Sequence, residues 1–147
     1  MPKKKNDTFF IGSEVYINGF SKVLKSIKIN NLKNIKICNT NFIFLVQVLK
    51  PLSIDIVYFI NPDPWPKLRH HKRRVINLEN LNLIKEKLKK NGKIIVTTDS
   101  KKYFDFMFNL SKNKKLEFQN VKYAELVKDN ELYGISNYQR KAIVKNH

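Results

Sequence analysis

Ile54-Asp55-Ile56-Val57-Tyr58-Phe59-Ile60 runs straight into Asn61-Pro62-Asp63-Pro64-Trp65-Pro66-Lys67-Leu68-Arg69-His70-His71-Lys72-Arg73-Arg74. The first seven residues are apolar and β-favouring apart from Asp55. That is the pattern of a strand covered on both faces, the usual state in a parallel sheet. Asn61-Pro62 ends the strand, because proline has no N–H to donate to a ladder. Pro62 and Pro64 leave Asp63 little backbone freedom, since proline fixes its own φ and keeps the residue before it extended. A tryptophan follows, then five cations in eight positions with His70 and His71 among them.

Outward from that segment, strand and helix signals alternate. Thr8 to Ser13 reads as a short buried strand ending at Glu14. Tyr16 to Ile29 carries apolar residues at Ile17, Phe20, Val23, Leu24 and Ile27, which is helical spacing. Ile35 to Cys38 is a second strand. Phe42 to Leu49 has no deciding period, but Pro51 after it favours a helix. Downstream, Leu78 to Leu88 puts Leu78, Leu81, Ile84, Lys85 and Leu88 on one stripe, and Asn91-Gly92 reads as the helix stop. Lys93 to Thr97 is a further buried strand with Thr98-Asp99 at its end. Tyr103 to Leu110 is an amphipathic helix, and Leu116 to Leu126 looks strand-rich. Alternation of this kind implies an α/β fold, a parallel sheet with helices on both faces. Ligands in such sheets gather at the carboxyl ends of strands. Glu14, Asn41, Asp63 and Asp99 lie at or just past the ends of four such elements.

The chain has 147 residues and fits one domain or part of one. It is 42% hydrophobic, enough for a core. Its net charge is +17, and without the five cations of the segment it would still be +12. A polyanionic partner is indicated, nucleic acid first and an anionic membrane surface second. The abundance of Lys, Asn and Ile, whose codons are AT-rich, accounts for part of the lysine excess. Cys38 is the single cysteine. An internal disulfide is excluded, and no Cys/His spacing suits zinc. No run of 18 apolar residues spans a membrane. The N-terminus lacks the apolar run of a signal peptide, so the cytosol is the expected compartment.

Each candidate residue has two readings. Asp63 is a positioned catalytic or recognition group, or an acid capping its own turn. Trp65 stacks on a base or anchors its loop in the core. Lys67, Arg69, Lys72, Arg73 and Arg74 contact phosphates, or form a solvated or localisation-type tract. His70 and His71 contact RNA or solvent; no third ligand makes them a metal site. Glu14 accepts hydrogen bonds from ribose hydroxyls of a nucleotide cofactor, or caps the following helix. Asp99 has the same two readings.

Pro62-Asp63-Pro64-Trp65-Pro66-Lys67 followed by Arg69-His70-His71-Lys72-Arg73-Arg74 resembles the signature of bacterial tRNA (guanine-N7-)-methyltransferases. Phe10-Ile11-Gly12-Ser13-Glu14 looks like that family's second strand and cofactor-binding acid. Asn91-Gly92-Lys93 with Thr98-Asp99 looks like its fifth strand and substrate-binding Asp. Gly134-Ile135-Ser136-Asn137-Tyr138-Gln139 is more loosely similar to its C-terminal substrate segment. The resemblance implies a Rossmann-like class I methyltransferase fold, the cofactor S-adenosyl-L-methionine, and methylation of N7 of the guanine in the tRNA variable loop. It implies that Glu14 and Asn41 (or Thr40) bind the cofactor and that Asp63 serves both cofactor and catalysis. Lys67, Asp99, Ser136, Asn137, Tyr138 and Gln139 would bind substrate. Leu68, Arg69, His70, His71, Lys72, Arg73 and Arg74 would touch RNA. No metal is implied.

The sequence departs from the family in three places. Only Met1 to Phe9 precede the Phe10–Glu14 segment, where the family has its first strand and Gly-rich turn. Of the 4 glycines, none forms a G-x-G pattern. Phe42 and Gln139 stand where small and acidic residues are usual. The expectation is therefore a single, N-terminally truncated methyltransferase domain with two unpaired strand edges. Two other readings use the same residues: an inactive RNA-binding remnant, and one half of a split enzyme whose partner chain supplies the N-terminal part.

Overall fold

A computed structural model describes residues 7–113 and Leu116. The described residues divide into two compact units, residues 7–39 and residues 40–113 with Leu116.

In the first unit the helix signal over Tyr16 to Ile29 becomes α1 (Ile17–Ile29), set between strands β1 (Phe10–Ser13) and β2 (Ile35–Cys38). The two strands pair in parallel, with Phe10 opposite Ile35 and Ser13 opposite Cys38. Phe20, Val23, Leu24 and Ile27 turn inward while Ile17 stays exposed. The helix ends where Asn31 takes a positive φ of 47°. There the Asn31 and Leu32 N–H groups donate back to the carbonyls of Lys28 and Ile27 at 3.1 and 3.0 Å. This left-handed ending satisfies carbonyls that the last turn would otherwise leave open.

The second unit holds the buried core. Strand β3 (Ile54–Ile60) lies parallel to β4 (Leu88–Thr97). Helices α2 (Phe42–Val48), α3 (Leu78–Lys87) and α4 (Lys101–Ser111) complete it. Val46, Phe59, Ile76, Leu81, Ile84, Leu88, Tyr103 and Leu116 form one buried cluster. The apolar stripe read on α3 is realised at Leu81 and Ile84 and continues into Leu88, while Lys85 is only half-buried. Asn41 and Asn77 start α2 and α3, their side-chain oxygens accepting from the N–H groups of Ile43 and Asn80, each at 2.9 Å.

One expectation is corrected here. Asn91-Gly92 does not stop a helix. The helix already ends at Lys87, and the pair lies inside β4. Ile54 pairs with Leu88 and Ile56 with Lys93, so the intervening residues of β4 bulge outward. Asn91 adopts φ 66° at that bulge. Gly92 packs so tightly that a Cβ would sit 2.9 Å from the Lys89 carbonyl oxygen. A positive φ at Asn and a glycine beside it serve a bulge as well as a helix end. The expected α/β fold is borne out: the described strands form two parallel pairs, β1 with β2 and β3 with β4, each joined through helix. The segment from Leu116 to Leu126, apart from Leu116 itself, lies outside the described residues.

Candidate active site and basic loop

The site is built where β3 and β4 end together. The Asn61 N–H donates to the Thr97 carbonyl at 3.0 Å and lies 3.3 Å from Thr97 Oγ1. Asp63 follows this tie on one strand and Asp99 on the other, and both are exposed. Among the described residues no hydrogen bond or ion pair occupies either carboxylate. The turn itself is strained. Asn61 and Trp65 have φ of 47° and 41°, a region that bulky side chains seldom enter.

What holds that turn comes from the basic run. The run is not an open loop but a short 3-10 helix, Leu68–Arg73. Its ends close through His70 N–H to the Lys67 carbonyl at 2.8 Å and Arg74 N–H to the His71 carbonyl at 3.0 Å. Lys67, Leu68, Arg69, Lys72 and Arg73 are exposed, Leu68 at 83%. The Arg73 guanidinium lies 5.0 Å from the centre of the Trp65 ring, and His70 meets that ring edge-on at 5.7 Å. Trp65 is half-buried beneath these two side chains. His71 points the other way, its ring 6.5 Å from that of Phe106.

Arg74 departs from the expected phosphate-facing set. It is 6% exposed. Its Nε donates to the Pro64 carbonyl at 2.8 Å and its Nη2 to the Trp65 carbonyl at 3.4 Å. Its guanidinium lies 5.0 and 4.5 Å from the ring centres of Tyr103 and Phe106 on α4. Burial raises the Tyr103 hydroxyl pKa, against a lowering by the Ile76 backbone and by the Arg74 charge; the Asp63 charge adds a smaller upward push. Sequence reasoning missed Tyr103 and Thr97 as supports of this site. Nothing in their local sequence separates them from ordinary core residues.

In the other unit, Glu14 continues the strand pair, its N–H donating to the Cys38 carbonyl at 3.1 Å. Its carboxylate Oε1 accepts from the Tyr16 N–H at 2.8 Å just before α1. Gly19 leaves room for that side chain, since a Cβ there would stand 3.1 Å from Glu14 Oε2. Glu14 is thus not the cap of α1, whose N-cap is Tyr16 with no side-chain cap hydrogen bond; one of its oxygens closes the turn before the helix and the second remains available as an acceptor. Asn41, at the start of the second unit, uses its Oδ1 to cap α2 and keeps its Nδ2 as a donor. Taken singly, each of the two residues offers a group that a nucleoside can bond: a carboxylate oxygen at Glu14 and an amide N–H at Asn41. Ser136, Asn137, Tyr138 and Gln139 lie outside the described residues. Among the described residues no group of three or more His, Cys, Asp or Glu could hold a metal ion. No helix there is long and apolar enough to cross a membrane.

Strand–helix–strand units with polar residues at the carboxyl ends of parallel strands define a class of α/β nucleotide-using proteins. The chain belongs to the family described as putative methyltransferase, whose model matches residues 1–147. It is 35% identical over 140 residues to a bifunctional methyltransferase of Rickettsia typhi, covering 95% of this chain and 27% of that protein. It is 34% identical to the tRNA (guanine-N(7)-)-methyltransferase of Wolbachia pipientis, over 93% of this chain and 59% of that one. The enzyme of the same description from Corynebacterium diphtheriae is 33% identical, over 96% of this chain and 55% of its own length. The chain thus spans about a quarter of the bifunctional relatives it matches and rather more than half of these two shorter ones.

Proposed function

We propose that this chain carries the substrate-handling part of a tRNA (guanine-N7-)-methyltransferase, acting on the variable-loop guanine. The observation that carries the reading is the braced Asp63 at the end of β3, next to a helical turn that exposes Lys67, Arg69, Lys72 and Arg73.

The chemistry asks little of an acid or base. Guanine N7 has a free in-ring lone pair, so no proton must leave before it attacks. Alignment is required, together with stabilisation of the positive charge that grows on the base. Asp63 accepts from the guanine N–H edge and offsets that charge. Asp99, on the neighbouring strand end, holds the same base, while Lys67 holds the nucleotide beside it. Arg69, Lys72 and Arg73 hold backbone phosphates, with His70 alongside. Glu14 and Asn41 hold the nucleoside end of the cofactor. S-adenosylmethionine, when bound, supplies an electrophilic methyl group on a sulfonium sulfur. A cytosolic site of action follows from the tRNA substrate.

The extra length of the relatives favours a companion reading, in which a further polypeptide segment or a second chain completes the cofactor site. The test is transfer of labelled methyl from S-adenosylmethionine to a tRNA transcript, with and without guanine at the variable-loop position. Label that requires that guanine supports the proposal. Label on both transcripts, or salt-sensitive tRNA binding without transfer, argues against it, and the second outcome favours the inactive RNA-binding reading.

A further inference from the structure

Five cations stand together in sequence, and one of them turns inward. Arg74 is buried, and its planar fork reaches two successive carbonyls, Pro64 at 2.8 Å and Trp65 at 3.4 Å. Behind it stand the rings of Tyr103 and Phe106. Its own carbonyl accepts from Asn77 Nδ2 at 3.0 Å, at the start of α3. Val75, next in the chain, has its carbonyl bonded by Asn80 Nδ2 at 2.8 Å. Arg74 is thus fixed from α3 and α4 and grips the turn that bears Asp63. The Trp65 backbone it holds is in the left-handed region, which a bulky side chain keeps only when its surroundings impose it.

We propose that Arg74 is a positioning residue: it clamps the Pro62–Trp65 turn and so fixes Asp63, while the phosphate contacts fall to Arg69, Lys72 and Arg73. The assignment rests on the proposed tRNA reading for the purpose of the clamp, but not for its existence. A guanidinium engaged with two carbonyls and two rings has no face left for a phosphate. Lysine cannot replace it, because a single ammonium lacks both the fork and the planar surface that lies on the rings.

Trp65 is the chain's one tryptophan, so fluorescence excited on the long-wavelength side of tyrosine absorption reports on this turn alone. Acrylamide quenching of Trp65 is measured in wild type, Arg74→Met, Arg74→Lys and Lys72→Ala, with Ile84→Val as a destabilised control remote from the turn. The salt dependence of tRNA binding is measured on the same proteins. The clamp predicts that quenching at least doubles in both Arg74 variants and stays at the wild-type value in Ile84→Val. It also predicts that the salt slope of Arg74→Met matches wild type, while that of Lys72→Ala falls by about one phosphate contact. Wild-type quenching in Arg74→Lys overturns the proposal, as does a slope lowered by about one in Arg74→Met. Should Arg74→Met fail to fold, Arg74→Lys alone decides through its quenching. Should wild type bind no tRNA, the functional reading fails and the quenching result still judges the clamp.

Discussion

The Asn61 N–H bonds to the carbonyl of Thr97 at 3.0 Å, across 36 residues of sequence, and this tie sets the ends of β3 and β4 side by side. Asp63 and Asp99 each lie two residues beyond it. Under the proposed function they face one base from adjacent strand ends. Asp99→Ala should then raise the KM for tRNA more than it lowers kcat, because a base-holding bond acts in ground and transition states alike. Losing a bond to a charged group costs about 1.5–3 kcal/mol, so a KM increase of about ten- to a hundredfold is expected. Steady-state methylation kinetics check this, and a pure kcat loss would move Asp99 into the chemical step.

The core of the second unit is small and concentrated. Ile84 is 1% exposed at its centre. Ile84→Ala should cost about 2–5 kcal/mol, through lost burial and the cavity left behind. Urea denaturation followed by circular dichroism reads the change. A cost below about 1 kcal/mol would mean that the cluster is not a packed core.

The bulge in β4 makes a paired prediction. A Cβ on Gly92 would meet backbone at 2.9 Å, whereas one on Gly12 meets nothing nearer than 3.9 Å. Gly92→Ala should destabilise by about 1–3 kcal/mol, as overpacking does. Gly12→Ala should be close to neutral. Equal melting temperatures for the two variants would contradict the bulge geometry.

Tyr103 gives a pH dependence. Its hydroxyl pKa is raised in the folded state, burial being the main cause. The unfolded chain therefore loses this proton more readily than the folded one. The contribution is fully present below about pH 10, the ordinary tyrosine value, and is lost as pH rises through the higher folded value. Tyr103→Phe should lose less stability than wild type between pH 9 and 11. Parallel alkaline melting curves for the two proteins would remove the assignment.

Much of this architecture is legible in the sequence because local signals and burial agree. Ile35–Cys38 and Ile54–Ile60 have the strand bounds that their apolar runs indicate, and Phe42–Val48 is a helix with Asn41 as its cap. The misreadings come from tertiary overrides. Asn91-Gly92 carries the same backbone signal for a helix end and for a bulge, and only pairing with β3 decides between them. The run from Arg69 to Arg74 looks uniform in charge, yet the 3-10 turn exposes Arg73 and buries Arg74. Which cation turns inward depends on Tyr103 and Phe106, some thirty residues away. For the candidate site, Asp63, Asp99 and the exposed cations can be named from their motif, but the supports at Thr97, Arg74 and Tyr103 cannot.

The central claim is that the proline-braced Asp63 serves methyl transfer to a tRNA guanine. The direct measurement compares Asp63→Ala with wild type for label transfer from S-adenosylmethionine to tRNA, alongside tRNA affinity at fixed salt. Removing one preorganised electrostatic group should lower transfer by about a hundred- to a thousandfold, with affinity held within about threefold because phosphate contacts dominate it. Transfer by Asp63→Ala at the wild-type rate would contradict the account.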